Sequence, residues 1–238
     1  MKLRPIYFLI TLFLGLSSLT FAQTADEVIN KHVEAIGGAD AWRKVTSMRQ
    51  EGSMTVQGTD VQLVLTVVKD KGSRQDISIT AMGMSGYQII TPTEGWNYMP
   101  FNGMMAPEAM TADELTKSQD DLDPAGPLLD YQAKGHKVEL LGKEDVEGVE
   151  CFKLKVDTKN GSTQTFYLDP STYYIIRVVS KQDVNGQEVE VPTGFANYEK
   201  LPEGIVIAKS ITLPFGEMTI TNVDVNKPVE ESVFKKPS

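Results

Sequence analysis

The sequence predicts a mainly β protein, an antiparallel sheet of about 11 strands bent into a barrel or partial barrel, with an N-terminal helix and a helical lid segment. Three observations predict it. Apolar residues switch from helical spacing to alternation near Thr46 and keep that period through most of the remaining chain. Short turn signals separate the alternating runs, so neighbouring strands must pair antiparallel. A meander of this length also exceeds the roughly 10 strands that an open twisted sheet holds without curling.

At the N-terminus, Lys2 and Arg4 precede an apolar run from Ile6 to Ala22, which closes on Thr20-Phe21-Ala22 before Gln23. A charged start, an apolar middle and a small-residue end mark residues 1–22 as a secretory signal peptide cut after Ala22, leaving 23–238 as a single domain. The run reaches the roughly 17–25 residues of a membrane anchor, but Gly15, Ser17, Ser18 and Thr20 weaken its second half. Cys151 is the only cysteine. It lies far from the cleavage site, which excludes a lipid-bearing cysteine there, and it has no partner for an intramolecular disulfide. A secreted chain without disulfides fits a periplasm of the Gram-negative type. In VECFKLKV, alternation sets Phe152, Leu154 and Val156 on one face and Cys151 on the other, so the thiol reads as a passive strand residue. Loss of Lys2 and Arg4 leaves 21 basic against 32 acidic residues, a formal charge of −11. Such a surface repels nucleic acid and anionic head groups, so no nucleic-acid partner is expected.

Thr24-Ala25-Asp26-Glu27 is a capping box, Val28, Ile29, Val33 and Ile36 follow at helical spacing, and Gly37-Gly38 ends the helix. A short second helix is expected over Asp40 to Lys44. In TDVQLVLTVVK, Val61, Leu63, Leu65 and Val67 share one face of a strand. Strands follow at 74–81, 86–91 and 96–101, then, after a break, at 136–143, 149–158, 163–169, 173–182, 188–198, 205–213 and 217–225. Asn160-Gly161 and Asn185-Gly186 are hairpin turns, and Asp169-Pro170, Pro202-Glu203-Gly204 and Phe215-Gly216 are tight connections.

Met82 to Met110 holds six of the ten methionines, together with Tyr87, Trp96, Tyr98 and Phe101. Methionine is unbranched and polarisable, which suits an apolar surface that must accept a variable partner; an ordinary core produces the same composition. From Asn102 to Gly135 the meander is interrupted by Met104, Met105, the helix-like TADELTKSQDDL, Pro124-Ala125-Gly126-Pro127 and the apolar Leu128-Leu129. A long connection among tight turns is characteristic of lids and binding elements.

Catalytic motifs are absent. His32 and His136 are the only histidines, there is no His-Glu-x-x-His, no Gly-x-Ser-x-Gly and no phosphate loop, so neither a metal nor a cofactor is expected and no enzyme is predicted. Asp120, Asp121 and Asp123 lack the spacing of a calcium loop and read as a solvated face. Asn160-Gly161-Ser162 matches a glycosylation sequon that its hairpin turn already explains.

The helix ending in AIGGADAWRKVTSMRQEGSM, the hairpin GYQIITPTEGWNYMPF, the strand pair FYLDPSTYYIIRV and the closing VEESVFKKP occur in an order that resembles the LolA-like family of periplasmic outer-membrane lipoprotein-sorting proteins. The resemblance covers essentially all of residues 23–238. It implies a half-open antiparallel barrel whose concave face is covered by helices and holds acyl chains of a lipid or lipoprotein, with a possible membrane-bound donor or acceptor as partner. It also implies an arginine that holds the lid closed, by position Arg74 in KDKGSRQDISI, although the family's Arg-Pro and following aromatic are missing. The expected cavity wall is Leu63, Leu65, Met82, Met84, Ile89, Trp96, Tyr98, Phe101, Met104 and Met105. A one-residue slip exchanges the two faces of a strand, so the inward set is open.

The physics of a carrier fits such a wall. Burying an acyl chain gains about 0.8 kcal/mol per methylene, but a membrane offers nearly the same, so cargo can be passed on. Two other classes are compatible with the residues. A sensor module would use the same pocket and copurify with a membrane partner. A hydrolase would need close, buried carboxylates in the cavity.

Overall fold

The computed structural model describes residues 23–184 and 187–237. The expected signal peptide and the expected turn at Asn185-Gly186 lie outside the described residues. Thr24 caps helix α1 (Ala25–Ala35): its hydroxyl accepts from the Glu27 N–H at 3.2 Å, and the Glu27 carboxylate accepts from the Thr24 N–H at 3.1 Å. Two donors that a first turn leaves unpaired are thereby satisfied. The indole N–H of Trp42 donates to the Ile36 carbonyl at 2.9 Å and ties helix α2 (Ala39–Arg43) to the end of α1. Gly37 between them has φ +108°, and a Cβ there would lie 2.2 Å from the Gly204 carbonyl oxygen, so only glycine fits this crossing.

The remainder is one antiparallel sheet. Its first half comprises β1 (Ser47–Val56), β2 (Thr59–Val68), β3 (Gly72–Ile79), β4 (Met84–Ile90), β5 (Gly95–Tyr98) and β6 (Glu108–Ala109). Its second half comprises β7 (Lys137–Val146), β8 (Val149–Asp157), β9 (Thr163–Leu168), β10 (Ile175–Val184), β11 (Gln187–Lys200), β12 (Val206–Leu213) and β13 (Gly216–Val225). The 13 strands run in the order β6-β5-β4-β3-β2-β1-β13-β12-β11-β10-β9-β8-β7. Consecutive strands pair within each half, and the first and last strands join the halves, with Met48 opposite Val225 and a bulge at Glu51/Gly52. The barrel is therefore half-open: β6 and β7 are its two edges and do not pair. The excursion at 102–135 carries the chain from one edge to the other. It contains β6, helix α3 (Ala112–Lys117) with its own Thr111/Glu114 capping box, and a 3-10 segment, Ser118–Leu122.

The strand count is somewhat above the expected 11, partly because the two-residue β6 is too short for alternation to reveal. The strand expected over 96–101 stops at Tyr98, where Pro100, which has no N–H to donate, begins a 3-10 turn, Pro100–Asn102. The strand expected over 74–81 likewise stops at Ile79, where a 3-10 turn, Thr80–Met82, follows.

One end of the concave face is filled. Val28 and Ile29 of α1 pack on Phe152, Leu154 and Val156 of β8, Phe166 and Leu168 of β9, and Leu128 of the excursion. Trp42 packs with Val45, Met48, Ile205 and Leu129. Leu154 and Leu168 are fully buried, each stabilising by about 1.5–3 kcal/mol relative to exposure. On the convex face, Cys151 is buried with Val146 and Tyr167, and burial pushes its thiol pKa up.

Candidate ligand-binding cavity

Directly opposed residues in an antiparallel pair share a face, so register fixes what the concave side presents. Nearest the open end, one row runs Met54–Val61–Ile79–Met84 across β1 to β4. The next is Gly52–Leu63–Ile77–Gly86, in which the glycines admit other parts of the chain: a Cβ on Gly52 would strike Met218, and one on Gly86 would meet the Tyr98 carbonyl oxygen at 2.5 Å and the Phe101 ring at 3.0 Å. These rows floor a cavity of about 740 Å³ whose other walls come from Met82, Met99, Phe101, Val191, Leu213 and Phe215. Its size lies within the range of roughly 300–1,000 Å³ usual for small-molecule sites. Large apolar side chains stand exposed near this opening, among them Met82, Met84 and, 61% exposed, Phe215.

The third row is polar. Gln50, Leu65, Gln75, Gln88 and Asn97 lie opposite one another across five strands, and Gln88 donates to Asn97 at 3.0 Å. Behind this row lies an inner chamber of about 360 Å³, lined also by Gln164 of β9 and by Asp120, Asp121 and Asp123 of the excursion. Gln75 lines both spaces, so the apolar mouth and the polar chamber meet at β3.

The excursion forms the chamber's roof and is fastened to three strand turns. The Asp70 N–H donates to the Leu122 carbonyl at 3.1 Å, Gln119 donates to the Thr91 carbonyl at 3.1 Å, and Asn160 donates to Asp120 at 2.7 Å. Beyond the chamber, Arg43 of α2 grips Asp130 through two hydrogen bonds of 2.9 and 2.7 Å. Asp123 pairs with Lys134 at 2.8 Å and lies 3.8 Å from Lys69. His136 Nδ1 accepts from the Lys159 N–H at 3.0 Å, which leaves Nε2 to carry the proton towards Asp120, 3.9 Å away; burial holds its pKa below the usual histidine value. Asp121 is exposed on the chamber side; desolvation by the protein around its carboxyl, with a smaller contribution from Asp120, pushes its pKa up to about 6. Among the described residues, no three His, Cys, Asp or Glu side chains are grouped so as to hold a metal ion.

The residues expected from the sequence divide between the two faces. Leu63, Met82 and Phe101 line the mouth, Leu65 lines the chamber, and Met84 lies on the concave face by register. Met104 is half-buried with its sulfur accepting from the Met99 N–H at 3.3 Å, and Met105 is 94% exposed; neither lines the cavity. Ile89, Trp96 and Tyr98 lie on the opposite face, because Ile89 opposes Trp96 and Tyr87 opposes Tyr98 one position out of step with Gln88. There they pack under the C-terminal segment, with Phe234, Val229 and Val233. Arg74 shares that convex face. Instead of touching the lid, it pairs with Asp76 at 2.7 Å and donates to the Val233 carbonyl at 3.0 Å. Ile77, Ile79, Val191 and the glutamine row were missed; in SRQDISI, the alternation Gln75, Ile77, Ile79 is the signal that could have found three of them.

A scan against protein-family models finds no match, and a search of curated protein sequences finds none either. Comparison with solved structures does find matches. A LolA superfamily protein from Nitrosomonas europaea superposes with a TM-score of 0.55 at 12% identity, over 90% of this chain and 99% of that one. The chain has the LolA-like fold. A domain from Vibrio parahaemolyticus described as outer membrane lipoprotein-sorting matches this chain with a TM-score of 0.52 at 17% identity, over 87% of this chain and 94% of its own. A DUF1329 family protein from Desulfovibrio piger gives 0.53 at 15% identity, over 90% and 98%.

Proposed function

We propose that this LolA-like chain is a periplasmic, non-enzymatic carrier that takes acyl chains of a lipid or lipoprotein into its concave mouth and passes them towards the outer membrane. The observation that carries this proposal is the apolar cavity of about 740 Å³ between Leu63, Ile77, Ile79, Met82 and Phe101, open to solvent and edged by Met82 and Phe215. Methylene burial of about 0.8 kcal/mol each is enough to hold a chain there and small enough for release to a membrane or partner offering the same. Exposed Met and Phe side chains at the rim suit a handover in which the cargo slides between two apolar surfaces without crossing water.

Native mass spectrometry with lipid extraction, on protein purified gently from its own envelope, tests the proposal. Intact lipid or lipoprotein should be recovered with the wild-type chain and lost with Leu63→Asp or Ile77→Asp. A clean apo mass, with no uptake of a fluorescent fatty-acid probe, would count against it. One observation favours a second reading, a hydrolase: Asp120 and Asp121 share the inner chamber, and Asp121 is held partly protonated near neutral pH. A hydrolase would release cleaved product from an ester lipid and lose that activity in Asp121→Asn, whereas a carrier returns the lipid intact.

A further inference from the structure

A cavity meant only for hydrocarbon has no use for a row of amides across its floor. Gln50, Gln75 and Gln88 sit at inward positions of three strands, and Gln164 faces them from β9. A half-buried amide without a protein partner keeps its donors and acceptor free for water or for a ligand in the space it faces. Here, among the described residues, the side chains of Gln75 and Gln164 make no hydrogen bond, and Gln50 donates only to the Met48 sulfur at 3.4 Å. The chamber lining carries no Lys or Arg, and the one Asp120 oxygen that is wholly buried has no hydrogen-bond partner among the described residues. An anionic head would meet the Asp120 and Asp121 carboxylates, while the nearest ammonium groups, Lys134 and Lys69, are already engaged by Asp123; a hydroxyl or amide head would meet donors and acceptors in an amide's own geometry.

Building on the carrier proposal, we propose that the inner chamber is a head-group subsite for an amphiphile whose polar end is uncharged and rich in hydroxyl or amide groups, with its hydrocarbon lying outward through the mouth. Gln75, which borders both spaces, marks the junction of head and tail. Asp121 acts by exclusion: ionised, it repels phosphate and carboxylate heads, and because its carboxyl keeps its proton to about pH 6, exclusion weakens in mild acid.

Displacement of a fluorescent acyl probe from the chain 23–238, by monomeric dodecyl maltoside, dodecyl phosphate and maltose alone, tests this at pH 7.5. Dodecyl maltoside should bind roughly tenfold or more tighter than dodecyl phosphate, since like-charge contact is penalised strongly. Maltose alone should not compete. In Gln75→Leu the maltoside should weaken by about fivefold while the phosphate changes little. In Asp121→Asn the phosphate should gain on the maltoside. Equal binding of the two dodecyl probes, indifferent to both substitutions, would overturn the subsite and leave the carrier proposal standing. Competition by maltose as strong as by dodecyl maltoside would also overturn it, as a free-sugar site. Failure of the acyl probe itself to bind would remove the carrier proposal, and this one with it.

Discussion

Replacing Phe234 by Ala separates the two faces of the aromatic hairpin. Phe234 is buried, its ring occupying the space a Cβ on Gly72 would need (2.5 Å) and contacting the cluster of Tyr87 and Ile89. Complete burial of a phenylalanine makes its truncation cost about 3–5 kcal/mol. Phe234 sits in a 3-10 turn, Glu231–Phe234, that joins no strand of the sheet, so its segment can detach rather than leave a cavity, and the loss is limited to about 2–3 kcal/mol. Detachment would also remove the Val233 carbonyl from Arg74 and the Lys236 ammonium from its place 4.3 Å over the Trp96 ring. Urea denaturation should therefore show the loss in stability, and Trp96 emission should shift to the red, while Trp42, buried at the other side, contributes a constant background. Affinity for an acyl probe should stay within about twofold, because Phe234 and Trp96 face away from the cavity. Loss of probe binding without loss of stability would refute this, since it would put the aromatic hairpin against the ligand.

Other outcomes follow from the same geometry. The Asp121 carboxyl has a folded-state pKa raised from 3.8 to about 6, so its contribution to stability is most favourable below pH 3.8 and is lost as pH rises to about 6. The full shift corresponds to about 3 kcal/mol, which the water-accessible chamber reduces to roughly 1 kcal/mol; Asp121→Asn should be the more stable protein by that amount at pH 7.5 and show the difference vanish near pH 4 in urea titrations. Gly37→Ala should lower stability by about 3 kcal/mol or more, measured by thermal unfolding, because strain at φ +108° adds to a contact of 2.2 Å with the Gly204 oxygen. Cys151 is fully buried and its thiol pKa is raised, so a thiol reagent at neutral pH should label it only as fast as the protein opens, and promptly in denaturant.

What was legible in the sequence was whatever is encoded locally. The Thr24/Glu27 capping box, the Gly37-Gly38 stop and the alternation of Val61, Leu63, Leu65 and Val67 each depend on neighbours a few residues away, and the structure has them. The pairing of β1 with β13 and the resulting open seam between β6 and β7 depend on chain ends meeting, which alternation cannot report. The site shows the same division. Leu63 and Leu65 fell on the concave face with their strand, but Ile89, Trp96 and Tyr98 were assigned inward because large apolar residues look alike on either face. Their cover is Phe234, well over a hundred residues away in sequence. Of the methionines that composition singles out, Met82 lines the mouth, whereas Met105 is solvent-exposed. The glutamine row was invisible for the opposite reason: each amide looks like an ordinary surface residue until register aligns them.

Photo-crosslinking with a diazirine-bearing fatty acid, followed by mapping of the labelled residues, tests the central claim most directly. Acyl occupancy of the concave mouth predicts label on Leu63, Ile77, Met82 and Phe101 and none on Ile89, Trp96 or Tyr98. Label concentrated on the Trp96 face, or none above that of an unfolded control, would contradict it.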